Sequence, residues 1–201
     1  MKKILSFILA LTMFTFIAVP AAAASTTYTV VSGDSMWKIA VKNQIGISEM
    51  IAANPQISNP DLIYPGQVLT IPLRDSTATG YEAEVVRLVN VERAKYGLTA
   101  LTENWELSRV ARYKSEDMAA LRYFSHTSPT YGSPFDMMKA FGIKYRTAGE
   151  NIAYGQRTPA EVVTAWMNSP GHRANILNSS FKQIGVGYVS QGNYWTQMFI
   201  G

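Results

Sequence analysis

Two histidines are the only imidazoles in this chain of 201 residues. Each lies in a dense polar and aromatic segment, Phe124-Ser125-His126-Thr127-Ser128-Pro129 and Asn168-Ser169-Pro170-Gly171-His172-Arg173-Ala174-Asn175-Ile176-Leu177. Between them comes Ala148-Gly149-Glu150-Asn151-Ile152-Ala153. Imidazole and carboxylate together can hold a transition metal or move a proton near neutral pH. Two neutral imidazoles with one or two carboxylates suit Zn²⁺ or a similar divalent ion and leave a coordination position open for water. Without a metal, Glu150 can serve as general base and a histidine as acid on a wall or peptide bond. The separation of these residues is far looser than His-Glu-x-x-His, so spacing alone does not specify a metal. No Gly-x-Ser-x-Gly elbow is present and the chain has no cysteine, which removes the usual serine elbow and any thiol nucleophile.

The N-terminus directs the chain outside the cell. Met1-Lys2-Lys3 is positive, Ile4 to Val19 is an unbroken run of apolar and small hydroxyl residues, and Pro20 to Ala24 offers small residues for cleavage. This pattern is that of a secretory signal over residues 1–24, and the apolar run falls short of the ~20 residues of a membrane span. No stable membrane span is expected after cleavage. Removing Lys2 and Lys3 takes the 18 basic against 14 acidic side chains to 16 against 14, so the pI of 9.2 is weak support for a polyanionic partner. No basic cluster interleaved with aromatics occurs, and nucleic acid is not an expected partner. An exported chain without disulfides must fold on its core alone. The roughly 177 residues that follow the signal suit one medium domain and one small one.

Arg74-Asp75-Ser76-Thr77-Ala78-Thr79-Gly80 is polar, small and aperiodic, and reads as a linker over residues 73–80. Two compact domains with few mutual contacts are expected on either side. Before it, Tyr28 to Val31 alternates like a strand and Ser35 caps a helix through Val41. Ser48 is placed to cap a second helix, and Tyr64-Pro65-Gly66-Gln67 turns into the strand Val68 to Ile71. With neither histidine nor cysteine in so small a unit, a binding module is the natural reading.

Tyr28-Thr29-Val30, Gly33 to Ala40, Asn54-Pro55 and Tyr64 to Pro72 fall in the order and spacing of a LysM domain, which residues 27–72 resemble throughout. The resemblance implies a βααβ module that binds N-acetylglucosamine polymers, peptidoglycan or chitin, in a shallow groove. It implies a lining of Gly33, Asp34, Ser35 and Met36 from one loop and Asn59, Asp61, Leu62, Ile63, Tyr64, Pro65 and Gly66 from the other. Backbone amides there can bond acetamido groups while apolar side chains pack on sugar faces. Trp37 and Ile39 are expected in the core.

After the linker the chain turns helical. Val85, Leu88, Val89 and Tyr96 share one face, Asn104 caps a helix through Met118, and Ser133-Pro134-Phe135-Asp136 and Thr158-Pro159-Ala160-Glu161 open two more. Ser169-Pro170 opens another, placing His172 in its first turn, where the positive dipole end favours the neutral imidazole. Alternation from Ile184 to Tyr188 and Tyr194 to Ile200 around Gly192-Asn193 gives an antiparallel hairpin, and the class is α+β.

The succession Val85 to Arg93, Tyr123 to His126, Gly149-Glu150-Asn151-Ile152, Gly171 to Leu177, Ile184 to Tyr188 and Tyr194 to Phe199 resembles a CAP domain, the cysteine-rich secretory, antigen 5 and pathogenesis-related 1 superfamily, SCP-like, in a cysteine-free bacterial form. Such proteins occur in endospore-forming Bacillus-like bacteria. The resemblance covers residues 81–201 and implies an α-β-α sandwich with two histidines and two acids in a central cleft. These are His126, Glu150 and His172 as catalytic or metal-ligating candidates, with Asp136 as the second acid. Asp136 equally fits the capping-box position of its own helix. Three readings follow. One is a noncatalytic wall- or spore-associated protein whose LysM domain holds glycan while CAP binds a metal, ligand or protein partner. The second is a peptidoglycan hydrolase concentrated on its substrate by LysM. The third is a structural coat or matrix component. The first is preferred, because a CAP resemblance specifies a fold better than a reaction.

Overall fold

In the first module β1 (Ser25–Thr29) and β2 (Val68–Pro72) pair antiparallel, Tyr28 opposite Leu69, with α1 (Met36–Lys42) and α2 (Ile47–Ala52) between them. These coordinates are a computed structural model that describes residues 24–201, so the expected signal segment lies outside the described residues apart from Ala24. Ser35 caps α1 by accepting from Lys38 N at 3.2 Å, while Val30, Met36, Ile39, Met50, Leu69 and Ile71 close a small core. Asn54 ties the second helix to β2, donating to Met50 O and Thr70 O and accepting from Thr70 N, all within 2.7–2.8 Å. The expected cap at Ser48 is not formed. Gly46 holds the cap position, and Ser48 lies inside the first turn with its hydroxyl donated to Glu49.

Residues 73–80 depart from the expected linker. Asp75 accepts from Thr77 N and Ala78 N at 2.7 and 3.1 Å and starts α3 (Ser76–Lys95), whose Ala78 and Tyr81 pack against the second domain's core. Small side chains hid this start, and an acid at the cap was its one local signal. The two domains also meet directly, since Arg109 reaches Glu49 across the junction.

The second domain is an α-β-α sandwich. β3 (Thr102–Glu103), β4 (Ala148–Tyr154), β5 (Gln183–Val189) and β6 (Tyr194–Ile200) form one sheet in the order β3-β5-β6-β4, antiparallel except for β3 against β5. α3, α6 (Pro159–Asn168) and α7 (Pro170–Ile176) cover one face over Val85, Val89, Trp166, Val186, Trp195 and Phe199. α4 (Trp105–Leu121) and α5 (Pro134–Ala140) cover the other over Leu107, Val110, Met138 and Met198. The segment holding Glu150 is the edge strand β4, with Glu150 opposite Met198.

Glycine decides how close α4 comes. A Cβ on Gly185 would lie 2.3 Å from Leu107 C and Ser108 N, and one on Gly187 would lie 2.2 Å from Ala111 C and Arg112 N. The helix backbone therefore rests on the bare backbone of β5. Ser108 Oγ accepts from Val186 N at 3.1 Å, and Ser115 Oγ donates to Gly187 O at 3.1 Å. Because the obstruction is backbone, it cannot be relieved by a rotamer change. Gly187→Ala should lose about 3 kcal/mol or more, the upper range for overpacking, read as a lower urea midpoint. An unchanged midpoint would contradict this packing.

Candidate functional site

His126 and Glu150 come together from opposite directions. β4 carries Glu150 inward, leaving 1% of its side chain exposed, while the loop after α4 presents His126 with 53% exposed. His126 Nδ1 and Glu150 Oε1 are 2.6 Å apart, so the carboxylate accepts from the ring and leaves Nε2 toward the open side. Glu150 Oε2 is buried without a hydrogen-bond partner, as is Nε2 of Gln197. Such groups are rare in native interiors.

The His126 loop is anchored by α4. Lys114, fully buried, donates to His126 O at 2.8 Å and to the Tyr123 hydroxyl at 3.2 Å. Tyr123 in turn donates to Asp117, which also accepts from Ser128 Oγ at 2.7 Å and Thr130 Oγ1 at 2.6 Å. Burial lowers the Lys114 pKa, opposed by Glu150 and Asp117. Burial pushes the Asp117 carboxyl up, but the bonds from Thr130, Tyr123 and Ser128 prevail and hold it below the usual carboxylate range. Neither residue was expected at the site. Lys114 could have been found, since it falls at i+3, i+4 and i+7 from Ala111, Val110 and Leu107 on the apolar face of α4, where a lysine requires a partner.

α7 is held against β4 by amides. Asn151 Nδ2 donates to His172 O and to Gln197 Oε1, each at 3.1 Å, and Asn175 Nδ2 bridges Glu150 O at 3.1 Å and Asn151 Oδ1 at 2.8 Å. This seats half-buried His172 beside the cleft. Burial, then repulsion from His126, lowers the His172 pKa.

Asp136 does not join them. Its Oδ2 accepts from Ser133 N at 3.1 Å and Ser133 Oγ at 2.6 Å, and Ser133 Oγ accepts from Asp136 N at 3.1 Å, a complete capping box on an exposed turn. Among the described residues no three His, Cys, Asp or Glu side chains are gathered to hold a metal ion. Zinc centres use three or four protein ligands. With Glu150 Oε1 engaged by His126 and Asp136 in its cap, the expected four-ligand set does not fit a resident Zn²⁺.

In the first module the two expected glycan loops lie side by side, because Val30 N donates to Gln67 O and Gly66 N to Val30 O, both at 2.9 Å. Gly33, Asn59, Asp61, Leu62, Tyr64, Pro65 and Gly66 are exposed, while Asp34, Ser35 and Ile63 are half-buried. Asp34 accepts from Tyr28 Oη and Val31 N, fixing the first loop. Two expectations reverse. Met36 is 2% exposed and belongs to the core, whereas Trp37 is 62% exposed and does not. Helical phase explains both, since Met36, Ile39 and Ala40 share the inward face of α1 and Trp37 points away.

The fold and its matched span define the class: the chain belongs to the cysteine-rich secretory protein family, CAP, over residues 86–199. Residues 28–72 match the LysM domain. YkwD of Bacillus subtilis (strain 168) is 64% identical over 126 residues, covering 63% of this chain and 49% of YkwD. The N-acetylmuramoyl-L-alanine amidase sle1 of Staphylococcus epidermidis (strain ATCC 35984) is 30% identical over 165 residues, 79% of this chain and 48% of that protein. A crystal structure of an extracellular protein containing an SCP domain from Bacillus anthracis str. Ames aligns with TM-score 0.60 at 32% identity, covering 68% of this chain and 47% of that one. The chain thus spans about half the length of the relatives it matches. Among the described residues no helix is long and apolar enough to cross a membrane.

The lowered His172 pKa carries a pH dependence. The folded state keeps this ring neutral after the unfolded chain has begun to bind a proton, so its contribution is present above the ordinary value of about 6.5 and is lost as pH falls through the lower folded value. Thermal unfolding of His172→Gln between pH 7.5 and 5 should show a shallower acid loss than wild type. Parallel curves would contradict the assignment.

Proposed function

We propose that the chain is a secreted, wall-associated binding protein: its LysM module holds N-acetylglucosamine-containing peptidoglycan, and its CAP domain presents the His126–Glu150–His172 cleft to a ligand or protein partner. The observation that carries this reading is the pairing of the two LysM loops through Val30, Gly66 and Gln67, which leaves Val31, Leu62 and Tyr64 exposed as apolar contacts. Backbone amides around such a ledge supply hydrogen bonds to acetamido groups, and exposed apolar patches mark interaction surfaces. The secretory pattern expected over residues 1–24 supports export, and a relative aligned over 79% of this chain bears the name N-acetylmuramoyl-L-alanine amidase.

A second reading, hydrolysis in the CAP cleft, is favoured by one feature. His126 is oriented through Nδ1 by a buried carboxylate, with its other nitrogen left toward the open side, the arrangement of a general base. The binding reading is preferred because a CAP fold specifies an architecture better than it specifies a reaction. Incubation with purified peptidoglycan, with and without added Zn²⁺, followed by mass spectrometry of the soluble fraction separates the two. Binding predicts no released fragments, and fragments that vanish with Glu150→Gln establish hydrolysis.

Wall affinity belongs to the LysM ledge under this reading. Tyr64→Ala with Leu62→Ala should weaken co-sedimentation with insoluble peptidoglycan by about tenfold, equivalent to ~1.4 kcal/mol. His126→Ala should leave it unchanged. Equal pelleting of wild type and the double variant would contradict the assignment.

A further inference from the structure

The two domains meet through a charged patch that the cleft does not use. Arg109, on α4, donates from Nε to Glu49 Oε1 at 2.5 Å and from Nη2 to Glu49 Oε2 and Ser48 Oγ, both at 2.8 Å. Its guanidinium also lies over the rings of Tyr113 and Phe141, each centroid 5.3 Å from Cζ. Only 19% of the Arg109 side chain and 28% of that of Glu49 remain exposed. A two-point arginine–carboxylate pair in that setting fixes direction as well as distance, unlike a fully solvated surface pair.

Gly46 shows how closely that pair lies against the LysM backbone. Its backbone, φ −72° and ψ 154°, is one that any L-residue adopts. Yet a Cβ there would lie 2.2 Å from Arg109 Cζ and Nε and from Glu49 Oε2. The Arg109–Glu49 pair therefore fills the space a side chain would take, and a residue larger than glycine must displace the ends of both partners. Burial pushes the Glu49 carboxyl up, but bonds from Arg109 and Ser48 prevail and bring it to about 2, so the pair stays charged at any ordinary pH. Beside it, a cavity of about 320 Å³ is lined from both domains, by Ile45, Leu73, Glu82 and Arg112 among others.

We propose that the Gly46–Glu49 turn of the LysM module docks on the Arg109–Tyr113–Phe141 patch and holds the two domains as one rigid body, so that a polymer gripped by the LysM loops meets the His126 cleft in a single orientation. The consequence for the polymer rests on the function proposed above, whereas the docking itself does not. A flexible tether would raise local concentration without fixing direction, and a docked module does both.

Backbone ¹⁵N relaxation of the intact protein tests the docking without any glycan, so its failure is distinct from a failure of wall binding. Wild type should give one rotational correlation time for both domains. Gly46→Ala, altering only the LysM side, and Arg109→Ala, altering only the CAP side, should each shorten the correlation time of residues 25–72 while amide shifts remote from the contact stay in place. If either substitution unfolds its own domain, the other still reads the contact. Two correlation times in the wild type, or one shared time in the folded variants, would overturn the proposal.

Discussion

The second domain depends on the close seat of α4 against the glycine face of β5. Gly185 and Gly187 let the helix backbone approach until Ser108 and Ser115 bond directly to the strand. From that single placement α4 sends functional side chains two ways. Lys114 and Asp117 hold the His126 loop at one end, and Arg109 reaches the LysM module at the other. A helix one side chain farther out would leave Lys114 unable to reach His126 O, and the imidazole would lose its backbone anchor. The glycines act through distance, by permitting a bonded helix–sheet contact that larger residues would exclude.

The cleft is an asymmetric structure on a sheet edge. β4 is the outermost strand, so helices on both faces of the sheet can bring a histidine around it, α4 through the His126 loop and α7 through His172. The amides of Asn151, Asn175 and Gln197 lock α7, while Lys114 lies on the side of Glu150. This gives one imidazole a firm carboxylate partner and leaves the other a half-buried neutral neighbour. Such an arrangement can recognise a ligand through one bare nitrogen and a fixed rim of amides, and its acid–base capacity resides in a single pair.

Much of this was legible in the sequence. Hydroxyl and amide caps at Ser35, Asn104, Ser133 and Thr158 lie where the helices start, and the alternation in residues 184–188 and 194–200 matches the hairpin. What the sequence hid was hidden for physical reasons. β4 mixes small, charged and amide residues because an edge strand over a polar cleft has no continuous apolar face, so the segment around Glu150 carries no strand alternation to read. The start of α3 is made of small residues whose helicity rests on one capping carboxylate. Asp136 was ambiguous because one acid satisfies both a capping box and a ligand pattern, and only the hydrogen bonds decide for the cap. Gly46 has a conformation open to any residue, and the Arg109–Glu49 pair that fills the space beside it is a contact between distant segments that no local pattern reveals.

The central claim is that Glu150 from the strand and Lys114 from the helix fix His126 in one orientation, Nδ1 bonded inward and Nε2 free. The direct measurement is the tautomer of His126 from ¹⁵N-resolved NMR of the ring nitrogens at a pH where the ring is neutral. The account predicts a proton on Nδ1 coupled to a short hydrogen bond, with Nε2 bare, and loss of that signature in Glu150→Ala. A proton on Nε2, or rapid averaging between the two tautomers in the wild type, would contradict it.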